Sequence, residues 1–86
     1  MYLLEVEKNV DRIFFKLAKK DPKQLEAINK KIGQILENPQ QFKPLKAPMQ
    51  HLKRVHIGSF ILIYEVIENK KVVRILNYKH HDEAYK

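Results

Sequence analysis

The spacing of hydrophobic positions changes twice along the chain, and those changes divide it into elements. Tyr2 to Val6 is a short apolar run with β-compatible side chains, which predicts a first strand. From Asn9 the period becomes helical. Val10, Ile13, Phe14, Leu17 and Ala18 fall at i, i+3, i+4, i+7 and i+8 on one stripe, with Asn9 or Asp11 as candidate caps. Lys19 and Lys20 stand at the end where a helix dipole favours cations. A second helix opens at Asp21-Pro22, a capping carboxylate followed by a residue pre-set for the first helical position, with Gln24 placed for a capping box. Leu25, Ile28, Ile32, Ile35 and Leu36 form its apolar face, and Pro39 stops it near Asn38. So little chain separates the two helices that an antiparallel hairpin is expected.

Residues 39–50, PQQFKPLKAPMQ, hold three of the four prolines and read as an ordered connection with little regular structure. Beyond it the period drops to two. Leu52–Ile57 and Phe60–Ile67 are predicted strands joined by Gly58-Ser59, a pair suited to a two-residue type II′ hairpin. Lys71–Tyr78 follows a turn around Asn69-Lys70. The order β-α-α-β-β-β predicts an α+β fold: an N-terminal strand, a helical hairpin, then a three-stranded antiparallel meander. The helices pack on one face of a small, largely antiparallel sheet. No repeat or linker interrupts residues 1–86, so one domain is expected.

Composition narrows the function classes. The absence of cysteine excludes a disulfide framework and a thiolate zinc site, and fits a reducing cytoplasm. No apolar run approaches the roughly 18–20 residues a bilayer requires. MYLLEVEKN has early glutamates and no positive n-region, so neither a secretory signal nor a membrane role is expected. Seventeen Lys and Arg against ten Asp and Glu leave a formal charge of +7. That excess fits a polyanionic partner, nucleic acid or acidic protein, and fits equally a lysine-rich solvated surface.

Strand alternation locates candidate chemistry. In LKRVHI, Val55 and Ile57 point one way and Arg54 and His56 the other. If the helices cover the Val55/Ile57 face, Arg54 and His56 share the open one, as catalytic groups or as ordinary solvated side chains. Both faces of FILIYEVI and VVRILNYK are largely apolar, so alternation leaves open whether Glu65, Arg74 or Lys79 joins them. His80, His81 and Asp82, with His56, are the residues a metal would take. Their spacing matches no HExxH-type arrangement and adjacent residues at a strand end diverge, so no metal and no cofactor is expected. Asp82 and Glu83 are placed to orient a histidine or cap a final turn. Phe15 lies off the helical stripe, a candidate contact for another chain.

RVHIGSFILIYEV (residues 54–66) and YKHHDEAYK (residues 78–86), with LKAP at residues 45–48, resemble the RelE/ParE superfamily of type II toxin–antitoxin toxins. The likeness is nearer to the RelE-like ribosome-dependent mRNA interferases and spans essentially the whole chain. The resemblance implies a metal-independent endoribonuclease in which the mRNA's own 2′-OH attacks the adjacent phosphate. It implies a base for the 2′ proton, cations for the charge of the transition state, and an acid for the 5′ oxygen. It places Arg54, His56, His80, His81 and Tyr85 in the catalytic positions and Lys46, Lys53, Arg74 and Lys79 in phosphate or RNA contacts. A RelB-like cognate antitoxin in a hetero-oligomer, the ribosome and mRNA are the implied partners, and the cytoplasm the implied compartment. Where many RelE-like toxins carry arginine, in G-x-[YF]-R, this chain has Ile61 within GSFILIY. That departure keeps two further readings in view: a ParE-like, non-nucleolytic toxin acting on DNA gyrase, and a degenerate member that only binds antitoxin.

Overall fold

The computed structural model describes residues 1–84, so the expectations for Tyr85 lie outside the described residues. The elements run β1 (Leu3–Val6), α1 (Lys8–Lys20), α2 (Pro22–Glu37), β2 (Leu52–Ile57), β3 (Phe60–Ile67), β4 (Val72–His80) and a short α3 (His81–Ala84). Single 3₁₀ turns occupy Pro39–Gln41 and Glu68–Lys70. The four strands form one sheet in the order β1-β4-β3-β2. The β4/β3 and β3/β2 pairs are antiparallel, and β1 joins β4 in parallel. The helical hairpin is thus the crossover between β1 on one edge and β2 on the other.

The core lies between that hairpin and one sheet face. Val10 of α1 and Ile28, Ile32 and Ile35 of α2 are buried against Val55, Ile57, Leu62, Tyr64, Val73, Ile75 and Tyr78. Ile13, Phe14, Leu17, Leu25 and Leu36 pack at its margin. Each such side chain contributes about 1.5–3 kcal/mol when fully buried, so the two stripes hold the layers together. Ala18 is exposed. At 3.6 residues per turn it falls about 80° around the helix from Val10, beyond the edge of the buried stripe.

Local signals at the helix ends are met unequally. Asp21 caps α2, its carboxylate accepting from the Gln24 backbone N–H at 3.2 Å. The Gln24 side chain does not complete a capping box. Its amide donates to the Tyr78 hydroxyl and ties α2 to β4. Neither Asn9 nor Asp11 caps α1, which starts one residue before Asn9. Glu7 occupies the cap position through its backbone, its carbonyl accepting from the Val10 and Asp11 N–H groups at 3.0 and 2.9 Å.

Gly58 has φ +62°, and Ser59 is not among the described positive-φ residues, as a type II′ hairpin requires. The turn into β4 ends on Lys71 in the left-handed region, φ 55°, so β4 begins at Val72. It runs on to His80, beyond the Tyr78 limit read from the sequence, because His80 still pairs with Phe60.

The proline-rich connection is tied to both layers. The Tyr64 hydroxyl donates to the Pro39 carbonyl at 2.7 Å. The Leu45 N–H donates to the Leu52 carbonyl at 2.9 Å, and the Arg54 N–H to the Lys43 carbonyl at 3.2 Å. Residues 43–45 therefore run beside β2 like a partial fifth strand and bring the connection up to Arg54. No helix among the described residues is long and apolar enough to cross a membrane.

Candidate functional site

The sheet face away from the helices carries the polar chemistry, and strand register shows how. Directly paired positions on neighbouring strands put their side chains on the same face about 4.5–5.5 Å apart at Cβ. His56 pairs with Ile61, which pairs with Lys79; Arg54 pairs with Ile63, which pairs with Asn77. Arg54, His56 and Lys79 thus share the open face in two adjacent rows. Ile61, only 1% exposed, lies between His56 and Lys79.

Arg74 shares that face despite lying five residues, an odd number, from Lys79. The pairing with β3 jumps from Ile63↔Asn77 to Tyr64↔Ile75, leaving Leu76 as an extra residue in β4. Such a bulge shifts the alternation by one. Glu65 pairs with Arg74, which pairs with Glu5. The guanidinium lies 3.0 Å from the Glu5 carboxylate and 3.3 Å from that of Glu65. The hydrogen bond that Arg74 donates to the Glu5 carboxylate holds the guanidinium pKa above its ordinary value, reinforced by both carboxylate charges. Arg74 is consequently a neutralised cation in a three-strand ladder, a poorer phosphate ligand than its charge implies.

Beside Arg54 and His56 is an open depression of ≈ 380 Å³, lined by Gln41, Phe42, Lys43, Arg54, Val55 and His56. None of these residues is acidic. Phe42 is set by an edge-on contact with Tyr64, centroids 6.5 Å apart. Gln41, Phe42 and Lys43 were not singled out from the sequence. Their signal was an aromatic beside a lysine in a proline-bounded segment, and it needed the pairing of residues 43–45 with β2 to acquire meaning. An anion entering here meets Lys43, Arg54 and His56 together, with a guanidinium fork suited to phosphate.

The other candidates are dispersed. Lys53 pairs with Tyr64, on the helix-side face, and its Nζ donates to the Phe42 carbonyl at 3.4 Å. Lys46 is exposed in the connection, where its carbonyl accepts from the Met49 N–H. His80 pairs with Phe60 and follows Tyr78 in alternation, so it faces the helix side, opposite Arg54 and His56. Its ring meets Phe60 edge-on with centroids 5.3 Å apart, and Phe60 stacks on Tyr78 at 5.1 Å. His81 opens α3 and its N–H donates to the Ser59 carbonyl at 2.9 Å. The chain end therefore does not bring His80 to Arg54. Strand alternation holds it on the other side of the sheet. Phe15 is exposed, as expected off the stripe, with Lys19 Nζ 5.1 Å from its ring centroid.

Comparison with known proteins gives a consistent result. Residues 2–85 match the family model described as ParE toxin of type II toxin–antitoxin system, parDE. A Methanocaldococcus jannaschii protein assigned as toxin RelE4 is 45% identical over 87 residues, covering 100% of this chain and 93% of that protein. Among solved structures, the Mycobacterium tuberculosis toxin–antitoxin complex RelBE2 is similar with a TM-score of 0.77 at 23% identity, covering 92% of this chain and 96% of that one. The YoeB/ParE toxin from Agrobacterium tumefaciens gives 0.79 at 17% identity, covering 92% and 98%. These structural likenesses, spanning RelE and ParE types alike, share the strand, helical hairpin and four-stranded sheet described above.

Proposed function

The chain belongs to the ParE toxin family of type II toxin–antitoxin systems, within the RelE/ParE superfamily, and on that premise we propose that it is a ribosome-dependent mRNA endonuclease. The observation that carries this reading is the row His56–Ile61–Lys79 beside Arg54. The position where RelE-like relatives place an arginine is apolar here, yet it is flanked on both sides by basic groups of the same face.

In this reading Arg54 and Lys43 hold the scissile phosphate in the depression. The 2′-OH of the preceding nucleotide attacks phosphorus, the P–O5′ bond breaks, and the products are a 2′,3′-cyclic phosphate and a 5′-OH. His56 moves protons, since imidazole accepts and donates near neutral pH. Lys79 offsets the charge gathering on the phosphorane-like transition state, and Arg54 adds its bidentate hydrogen bonds. Tyr85, carried by the resemblance, is assigned to stacking on a base or to proton transfer alongside His56. Positive charge at this surface also suits an acidic antitoxin segment. The M. tuberculosis relative was solved as a toxin–antitoxin complex, which supports a cognate antitoxin as partner.

A second reading is favoured by Ile61 itself and by the description of the matching family: a ParE-like toxin acting on DNA gyrase without cleaving RNA. Translation in vitro with purified ribosomes, followed by primer extension on the mRNA, separates the two. The nuclease reading expects cuts in register with codons, appearing only when ribosomes are present. Intact mRNA together with trapped gyrase–DNA complexes would establish the second reading instead.

A further inference from the structure

The end of β4 holds a cluster outside the proposed cleavage site. Adjacent histidines at a strand end were expected to diverge, but the strand stops at His80 and α3 begins at His81. The change of backbone brings both rings to one carboxylate. His80 Nδ1 lies 3.6 Å from Asp82 Oδ2, and His81 Nδ1 lies 3.2 Å from Asp82 Oδ1. The two ring centroids are 6.1 Å apart. One ligand atom from each of the three residues falls within 4.8 Å of the others. We propose that His80, His81 and Asp82 form a three-ligand site for a single divalent transition-metal ion of the Zn²⁺ class.

The distances favour this. Metal–ligand bonds of about 2.0–2.1 Å in tetrahedral geometry set neighbouring ligand atoms about 3.3 Å apart. The two histidine–carboxylate separations, each to a different oxygen of Asp82, lie close to that spacing. A ligand pair at the 4.8 Å limit of the group must close by about 1.5 Å. Both rings are about half exposed, at 42% and 50%. The backbone beneath them is held: His80 pairs with Phe60 in the sheet, and the His81 N–H donates to the Ser59 carbonyl. The Asp82 N–H now donates to His80 Nδ1 at 3.2 Å, and the ion takes over that lone pair.

Two imidazoles and one carboxylate suit Zn²⁺, Ni²⁺ or Cu²⁺, whereas Mg²⁺ and Ca²⁺ prefer all-oxygen sets. Three protein ligands leave a fourth position for water or for a group from a partner. His80 faces away from Arg54, His56 and Lys79, so no cleavage step is assigned to the ion. It fastens α3 to the end of β4. This inference is independent of the nuclease reading.

The test uses the untagged chain, titrated with ZnCl₂ by calorimetry and followed by NMR of the histidine rings. One saturable equivalent should bind, with His80 and His81 signals shifting together and no response to MgCl₂. His80→Ala and His81→Ala should each weaken binding at least about tenfold, and Asp82→Asn should weaken it too, with circular dichroism unchanged. His51→Ala should leave binding as it was. The proposal is overturned by an absence of saturable Zn²⁺ binding, by binding that survives all three substitutions, or by binding lost with His51.

Discussion

Replacing Arg54 with alanine is expected to slow mRNA cleavage on programmed ribosomes by about 10²–10³-fold in single turnover, the usual cost of losing one preorganised donor to a developing charge. The residue is singled out because its site gathers three observations. It lies on the open face one row from His56 and Lys79, and it lines a depression whose described lining residues are not acidic. Its backbone is also fixed, with the Arg54 N–H bonded to the Lys43 carbonyl. A side chain on a clamped strand needs little rearrangement when the phosphate arrives. Arg54→Lys should recover part of the loss, because an ammonium keeps the charge without the bidentate fork. The thermal midpoint should move by no more than ~4 °C in either variant. A fall in activity matched by a fall in stability would place Arg54 in the scaffold instead.

The largest stability effect is expected at Tyr64. The side chain is fully buried, meets Phe42 edge-on, and donates its hydroxyl to the Pro39 carbonyl at 2.7 Å. It therefore joins the sheet core to the start of the connection that forms the depression. Tyr64→Ala should cost about 3–5 kcal/mol, a large share of the stability of so small a domain, and lower the midpoint by about 15–30 °C. Tyr64→Phe keeps the ring but leaves the Pro39 carbonyl without its donor, for about 1–3 kcal/mol.

The same residue gives a pH signature. Burial pushes the Tyr64 phenol well above its ordinary value of 10.0, and burial raises Tyr78 as well, partly offset by the Gln24 hydrogen bond. The folded chain thus holds these protons more tightly than the unfolded chain. The associated stability is fully present below pH about 10 and is lost as pH rises above it. Thermal melts from pH 9 to 11 should show a falling midpoint, with a shallower fall in Tyr64→Phe. A midpoint independent of pH in that range would mean the phenols are not held as described.

Much of this arrangement was legible in the sequence because it depends on local rules. The helical stripe of Ile28, Ile32 and Ile35, the Asp21-Pro22 start and the Gly58-Ser59 turn each rest on residues a few positions apart. Alternation put Arg54 and His56 on one face, which is the open one because the helices cover Val55 and Ile57. What stayed hidden is non-local. The parallel pairing of β1 with β4 joins residues about seventy positions apart, and no short-range pattern encodes it. The extra residue Leu76 broke the alternation of β4, so Arg74 and Lys79 could not be assigned faces from their spacing. The approach of His80 and His81 to one carboxylate was hidden because the change from strand to helix at His81 interrupts strand alternation there. Lys43 was missed because its position is set by hydrogen bonds to β2 from within an irregular segment.

In the proposed reaction the open face of Arg54, His56 and Lys79 supports attack by the RNA's own 2′-OH. That attack is tested most directly by single-turnover cleavage of a message whose one susceptible nucleotide is 2′-deoxy, on otherwise identical ribosomes. Cleavage at that position should stop. The all-ribose message should be cut to a 2′,3′-cyclic phosphate and a 5′-OH, and cutting should fall in Arg54→Ala. Undiminished cleavage of the 2′-deoxy message would contradict the proposed reaction, because the attacking oxygen would then have to come from elsewhere.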